Sequence, residues 1–522
     1  MQIVNNSVLV LRTRNPAKYG IIPKSRDMGH VGDGVHEVAV SWGLDEARVL
    51  KNLGVKDVPS PILRNYAWPG RFKPFEHQRA VAAFLTLHSR AFNFGEPGTG
   101  KTLSALWAAD YLMSIGRVRR CLIVSPLSIM HSAWMRDLNH SVIHRTAIVA
   151  HHSSADRRRE MVGGPYEFVI TNYDGLGIVA DAVVQDGTFD LVIADECTYL
   201  KTASTQRWKN FKKVIGPNTM LWMMTGTPAA QSPVDAYGLA KLVNPTGVPQ
   251  FFGAWKDKVM IRATIYKWVP KADAQEKVFN ALQPAIRHTK AECLDLPPVL
   301  TETREVPLTA QQIKYYRLIK EKMVFDTAGE TITAVNAAAS INKLLQISAG
   351  AAYTDNHEVV EFDCSPRLKV LQEVIDETSR KVIVFAPFRH SIDTVQAFLT
   401  KQGISHDTIH GGVSVSNRSS IIDAFQTRAD PRVLVIQPQA ASHGITLTAA
   451  DTVVYWGPVA SLETYLQGIA RADRVGQTSS KVTVIHLEGS PVERRMYEVL
   501  TKRLEGHSTL VDMYKDVLAD DV

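Results

Sequence analysis

Cysteine is scarce: four in 522 residues, at positions 121, 197, 293 and 364, with no Cys-x-x-Cys pair. That scatter argues against a zinc ribbon or a disulfide framework and predicts a reducing compartment. Long hydrophobic runs are missing too. No stretch approaches the ~18 continuous apolar residues of a membrane span. The N-terminal MQIVNNSVLVLRTRNP has no basic segment ahead of a long apolar core, so neither a membrane partner nor a signal peptide is expected. No internal repeat or low-complexity tract is visible. The expectation is a cytoplasmic protein, read as a monomer.

Acidic residues are in deficit, 52 against 59 basic, giving a net charge of +7 and a pI of 9.0. That excess suits a polyanionic partner but is weak evidence alone. Hydrophobic residues at 45% and charged residues at 21% describe an ordinary globular chain. At 522 residues it is too long for one core, which predicts two large domains and a small third.

From Phe72 onward short apolar runs alternate with helical patterns, the signature of parallel α/β architecture. One set of expected strands is 121–125, 168–171, 191–194 and 221–225; a second is 382–386, 433–436, 453–456 and 482–486. Uniformly apolar runs suit strands covered on both faces. Residues 245–365 look mostly helical, with LTAQQIKYYRLIKEKMV the clearest amphipathic segment. The predicted division is 1–70 (a small, partly β accessory module), 71–300 (first lobe with a helical protrusion), 301–365 (helical insertion), 366–505 (second lobe) and 506–522 (tail).

Gly95-Glu96-Pro97-Gly98-Thr99-Gly100-Lys101-Thr102 fits the phosphate-binding pattern G-x-x-x-x-G-K-[ST]. Its glycines let successive backbone N–H groups face phosphates at a helix N-terminus. Lys101 would neutralise the β- and γ-phosphates of ATP, and the Thr102 hydroxyl would ligate Mg²⁺. A chance match in a chain this long has a probability of about 2%. About ninety residues on, FDLVIADE ends a buried strand with Asp195 and Glu196. Asp195 is assigned to the magnesium and Glu196 to the attacking water.

Further motifs give a family resemblance. PFEHQ, ending in Gln78, resembles the Q motif of superfamily-two helicases. IVSPLSIMHSAW resembles their motif Ia, ITNYDGL motif Ib, DECTYLK motif II and TGTPAAQSP motif III. IRHTKAECLDLPP, VIVFAPFRHSID, IHGGVSVSNRSSIIDAF, ASHGITLTAADTVVYW and QGIARADRVGQ continue the series in order. The Arg-x-x-Arg-x-Gly-Gln ending is the most specific, and the set resembles the Swi/Snf type, notably compact phage and bacterial members and HARP-type annealing helicases. Three positions depart from the family pattern: Cys197-Thr198 in motif II, Asp473 in motif VI and Trp456-Gly457-Pro458 after motif V.

The resemblance implies two RecA-like parallel-sheet lobes, ATP and Mg²⁺ as cofactors, and double-stranded or branched DNA as partner. It places Gln78, Gly95, Gly98, Thr99, Gly100 and Gln467 with Lys101 and Thr102 around the nucleotide. Arg471 and Arg474, three apart, would share a helix face and reach the γ-phosphate as arginine fingers, worth a factor of about 10³ to 10⁵ in turnover. Ser125, Thr171, Asn172, His410, Ser442 and Thr446 fall at strand ends in positions implied to contact DNA phosphates. Arg157-Arg158-Arg159 reads chiefly as a solvated face, Trp134 as packing, and the cluster Arg207, Lys209, Lys212 and Lys213 as either track or exposed helix. The leading expectation is a duplex-DNA translocase that remodels branched DNA. The alternative is a protein-displacing factor, such as one recycling RNA polymerase, with residues 1–70 binding the partner. An RNA helicase is the weaker third reading, which the ending of motif VI opposes.

Overall fold

The computed structural model describes all residues except 227, 230–231, 264–267, 294–295, 330–333, 354–358, 441–444 and 502–522, and describes no side chain at 322–329, 334–338 or 415. The expected contact Ser442 and the expected tail 506–522 lie outside the described residues. The chain divides into two units, Met1–Ile261 with Lys271–Cys293, and Arg262–Pro270 with Leu294–Val522.

The first unit is built on a seven-stranded sheet in the order Ala285–Ile286, Arg90–Asn93, Met220–Met224, Phe189–Asp195, Arg120–Ser125, Phe168–Asn172, Ala147–Val149. Every pairing is parallel. All four strands expected here form. Met220–Met224 is buried at every residue, as a strand covered on both faces must be. Burial of each such aliphatic side chain stabilises by roughly 1.5–3 kcal/mol before entropy is charged against it.

Residues 1–70 start with a four-stranded antiparallel sheet, ordered Gln2–Val4, Val8–Thr13, Val35–Ser41, Arg26–Gly32. Leu9, Leu11, Val38 and Val40 alternate onto one face and are buried with Ala47 and Leu50 of the helix Leu44–Asn52. The Arg48 guanidinium, on that helix, donates to the Thr86 carbonyl at 3.0 and 2.8 Å, fastening the module to the helix Glu76–Leu87. The outer strand Arg26–Gly32 is exposed along its whole length.

The second unit has a six-stranded parallel sheet, ordered Val299–Glu305, Val482–Glu488, Ala450–Tyr455, Lys381–Phe385, Val433–Ile436, His406–Ile409. The pleat sorts its side chains between two cores. Ile383, Phe385, Leu434, Ile436, Val453 and Tyr455 enter one, while Val382, Val384, Val433, Val435 and Val454 enter the other. Helices Ala310–Gly329 and Ala334–Ala349 supply the expected helical stretch. The strand Val299–Glu305 runs across the border drawn at residue 301, because its backbone pairs fully with Val482–Glu488 although its side chains are mostly polar.

Candidate active site

The phosphate loop leaves the strand Arg90–Asn93 and runs into the helix Lys101–Ser114. Gly98 and Gly100 sit at φ 93° and 79°, left-handed values that favour glycine. Gly100 caps the helix, and a methyl group placed on it would lie 1.9 Å from Gln78 Nε2. Gln78 is buried, and its Oε1 accepts the Phe75 backbone N–H at 3.0 Å. The neighbouring His77 ring bonds the Thr99 carbonyl at 2.8 Å, and Thr99 Oγ1 donates to the Glu96 carbonyl at 2.9 Å. The Q motif is thus packed directly on the loop. Lys101 Nζ donates to the Gly95 and Glu96 carbonyls at 2.8 and 3.3 Å, so its ammonium stays over the loop.

The motif segment Arg287–Lys290 is also a partner of the loop, a contact that its sequence did not indicate. The Lys290 backbone N–H donates to Glu96 Oε2 at 3.1 Å, the Arg287 guanidinium lies 3.9 Å from Oε1, and the Glu96 N–H donates to the His288 carbonyl at 3.0 Å.

Asp195 ends its strand with 7% of its surface exposed. Its Oδ1 accepts the Glu196 N–H at 3.0 Å and its Oδ2 accepts the Trp134 indole N–H at 2.9 Å. Burial pushes the Asp195 carboxyl up from its ordinary value, and the Lys101 charge pulls it part of the way back. Glu196 follows at φ 51°, a strained conformation for a residue with a Cβ, costing of order 1–3 kcal/mol. The Thr225 hydroxyl is 3.5 Å from Glu196 Oε2, and Gly226 packs against Pro97 of the loop. The sheet therefore brings Lys101, Asp195, Glu196 and the Thr225-Gly226 turn together at the ends of three adjacent strands. Parallel sheets bind ligands at these carboxyl ends. Hydroxyl and carboxylate oxygens at Thr102 and Asp195 are the hard donors that Mg²⁺ takes, and both Asp195 oxygens keep lone pairs beside their hydrogen bonds. These residues fit a magnesium nucleotide.

In the second unit Gln467 is buried on the helix Leu462–Ile469, its amide donating to Glu463 Oε1 at 3.2 Å. The helix ends at Ile469, so Arg471 and Arg474 are not on a shared helix face as the spacing suggested. They lie in a chain of turns, held by Arg471 N–H to Gly468 and Gln477 N–H to Arg474 carbonyl bonds. The turns still converge the two guanidiniums, which donate to the Ile445 carbonyl at 3.4 and 3.2 Å.

Of the expected phosphate contacts, the side chains of Ser125 and Thr171 are fully enclosed, while Asn172, His410 and Thr446 keep some exposed surface. His410 Nδ1 accepts the Gly412 N–H at 3.0 Å, and burial together with Arg389 and Arg418 lowers its affinity for a proton. The arginine run is largely paired: Arg157 with Glu160 at 3.0 Å and Arg159 with Asp156 at 2.7 Å. Arg207 likewise pairs with Asp174, and Lys213 with Asp181. Among the described residues no cluster of three or more His, Cys, Asp or Glu could hold a metal, and no helix is long and apolar enough to cross a membrane.

A phosphate loop facing an acidic strand end, with a second parallel-sheet unit carrying paired arginines, defines a helicase-like enzyme class. Residues 77–353 match the SNF2-related domain and residues 366–476 the helicase conserved C-terminal domain. The chain belongs to the SNF2-related family. It is 23% identical over 414 residues to the SWI/SNF-related matrix-associated actin-dependent regulator of chromatin subfamily A-like protein 1 of Drosophila melanogaster, covering 78% of this chain and 51% of that protein. Protein p41 of Acyrthosiphon pisum secondary endosymbiont phage 1 is 23% identical over 424 residues, covering 78% of this chain and 89% of p41. The chain therefore spans about half the length of the fly relative and most of the phage one. Among solved structures, the Sulfolobus solfataricus SWI2/SNF2 ATPase core in complex with dsDNA matches 88% of this chain and 99% of its own, at 19% identity and a TM-score of 0.42.

Proposed function

We propose that the chain is an ATP-dependent translocase on double-stranded DNA that remodels branched DNA by fork reversal, branch migration or annealing. The convergence of Lys101, Asp195, Glu196 and Thr225 on adjacent strand ends carries the ATPase half of this reading. Lys101 and the loop N–H groups bind phosphates, Thr102 and Asp195 hold Mg²⁺, and Glu196 orients the attacking water. Mg²⁺, when bound, neutralises charge building on the phosphates. Arg471 and Arg474 act as the arginine fingers. Asn172, His410 and Thr446 contact the DNA backbone without reading sequence, whereas Ser125 and Thr171, with no exposed surface, are left out of that contact.

The test is ATP hydrolysis by the purified protein alone and with duplex, forked and single-stranded DNA or RNA, with Lys101→Ala as control. Stimulation by duplex or forked DNA that disappears in the variant supports the motor. Stimulation by RNA alone rejects the DNA track, and failure to convert any branched substrate rejects the remodelling role.

One observation favours the second reading, a protein-displacing factor. The outer strand Arg26–Gly32 is exposed throughout, with Met28 and Val31 at 64% and 52%, and an unpaired strand edge accepts a partner strand. Retention of a polymerase that depends on residues 1–70 would support it; retention unchanged by their removal would reject it.

A further inference from the structure

The Asp195 carboxylate is fixed by two hydrogen bonds on opposite oxygens. One is local, from the next backbone N–H. The other comes from the Trp134 indole, 61 residues away in sequence, at 2.9 Å. Trp134 has no exposed surface, so its ring cannot turn away without disturbing the core around it. A planar side chain with two rotatable bonds, locked by packing, is a donor of fixed direction.

The backbone that presents this indole is unusual. The chain leaves the strand Arg120–Ser125 at Pro126, makes a 3₁₀ turn at Leu127–Ile129, then a π-helical stretch at Met130–Met135, and becomes α-helical only at Arg136–Ser141. π-helical turns are rare and concentrate at functional sites. The wide turn sets which side chains of this segment face the sheet; Met130, Ala133 and Trp134 do, and Ser132 remains nearer the surface. An uninterrupted α-helix would rotate the indole relative to Ser125. The segment thus links the strand end at Ser125 to the carboxylate at Asp195 through one hydrogen bond.

We propose that Trp134 is a positioning residue for the metal-binding carboxylate, its indole N–H setting the orientation in which Asp195 meets Mg²⁺. The assignment rests on the ATPase reading above. Donors behind a metal ligand commonly govern metal affinity by 10–100-fold. Trp134→Phe keeps an aromatic ring in the core and removes the donor.

The test is equilibrium binding of ADP with saturating Mg²⁺ and again in EDTA, for the wild type, Trp134→Phe, Asp195→Asn and the double variant. Absence of ATP hydrolysis by the wild type with every nucleic acid would overturn the ATPase reading itself; ADP binding no tighter with Mg²⁺ in an active wild type would overturn the present one. With that in place, Trp134→Phe is expected to lose about tenfold of the Mg²⁺-dependent affinity, keep its affinity in EDTA, and add nothing in the Asp195→Asn background. Equal loss with and without Mg²⁺, no loss, or full additivity with Asp195→Asn would each overturn it. Should the Phe variant fail to fold, replacement of Trp134 by its sulfur isostere benzothienylalanine makes the same comparison with the ring shape retained.

Discussion

Arg471 and Arg474 share one acceptor, the carbonyl oxygen of Ile445, at 3.4 and 3.2 Å. A hydrogen bond to a neutral carbonyl at these lengths is weaker than the charge-assisted bond a guanidinium makes to a phosphate oxygen. Replacing either by alanine should lower kcat by about 10³-fold or more while changing nucleotide affinity by less than about tenfold. Lysine should restore little, since it lacks the planar fork. Steady-state ATPase alongside equilibrium binding separates the two quantities, and an unchanged kcat at either position removes that arginine from the catalytic set.

Gly100 allows a second prediction from geometry. Its φ of 79° disfavours any Cβ, and a methyl group there would strike Gln78 Nε2 at 1.9 Å. Gly100→Ala should weaken ADP binding by more than tenfold, from about 1 kcal/mol of backbone strain plus the displaced amide. Gln78→Ala removes the clash but also a residue placed at the nucleotide, so the further loss caused by Gly100→Ala should be smaller in the Gln78→Ala background than in the wild type. Isothermal titration with ADP reads both; equal affinity of Gly100→Ala and wild type would show that the loop tolerates the shift.

How much of this was legible depends on the range over which each residue acts. The strands at 121–125, 191–194 and 382–386 announced themselves because both faces are buried and all but the terminal Ser125 are apolar. Val299–Glu305 did not, because an exposed edge strand of alternating Thr and Glu satisfies its backbone and buries little else. Lys101, Asp195 and Glu196 were legible because a short motif carries their chemistry. Trp134 was legible only as packing, since nothing local tells an indole that its N–H meets a carboxylate 61 residues on. Spacing alone suggested a helix under Arg471 and Arg474; convergence survives, but turns produce it.

Acid sensitivity follows from three buried histidines. Burial lowers His88, His390 and His486 from 6.5 to about 4. The unfolded chain therefore binds more protons between about pH 4 and 6.5, so stability is fully present above pH 6.5 and falls as pH drops toward 4. His486 is clearest: its Nε2 faces the Tyr465 hydroxyl at 2.9 Å and its ring stacks on Tyr497 at 4.1 Å. It should contribute up to about 3 kcal/mol to this slope. In thermal melts from pH 7.5 to 4.5, the Tm of His486→Gln should fall less steeply than that of the wild type. The same slope in both would place the acid lability elsewhere.

In the second unit, Arg367 and Glu493 form an ion pair of 2.8 Å with side-chain exposures of 1% and 0%. Arg367 also donates to the carbonyl of Trp456, and Glu493 Oε2 also accepts from the Gly489 N–H at 2.8 Å and the Ser490 hydroxyl at 3.2 Å. The pair thereby joins the helices Ser365–Glu377 and Pro491–Thr501 to Trp456-Gly457-Pro458, the stretch that leads into the arginine turns. Removing one partner leaves the other buried and uncompensated, which costs roughly 3–5 kcal/mol, whereas removing both can be nearly neutral. Glu493→Gln should therefore lower the Tm sharply, and Arg367→Met combined with Glu493→Leu should recover only part of the loss, because the Gly489 N–H and the Trp456 carbonyl lose their partners. Because Trp456 would then lose the guanidinium on its carbonyl, the double variant should still turn over ATP more slowly than the wild type at equal stability. A double variant with wild-type kcat would confine the pair to holding the fold and leave the arginine turns to position themselves.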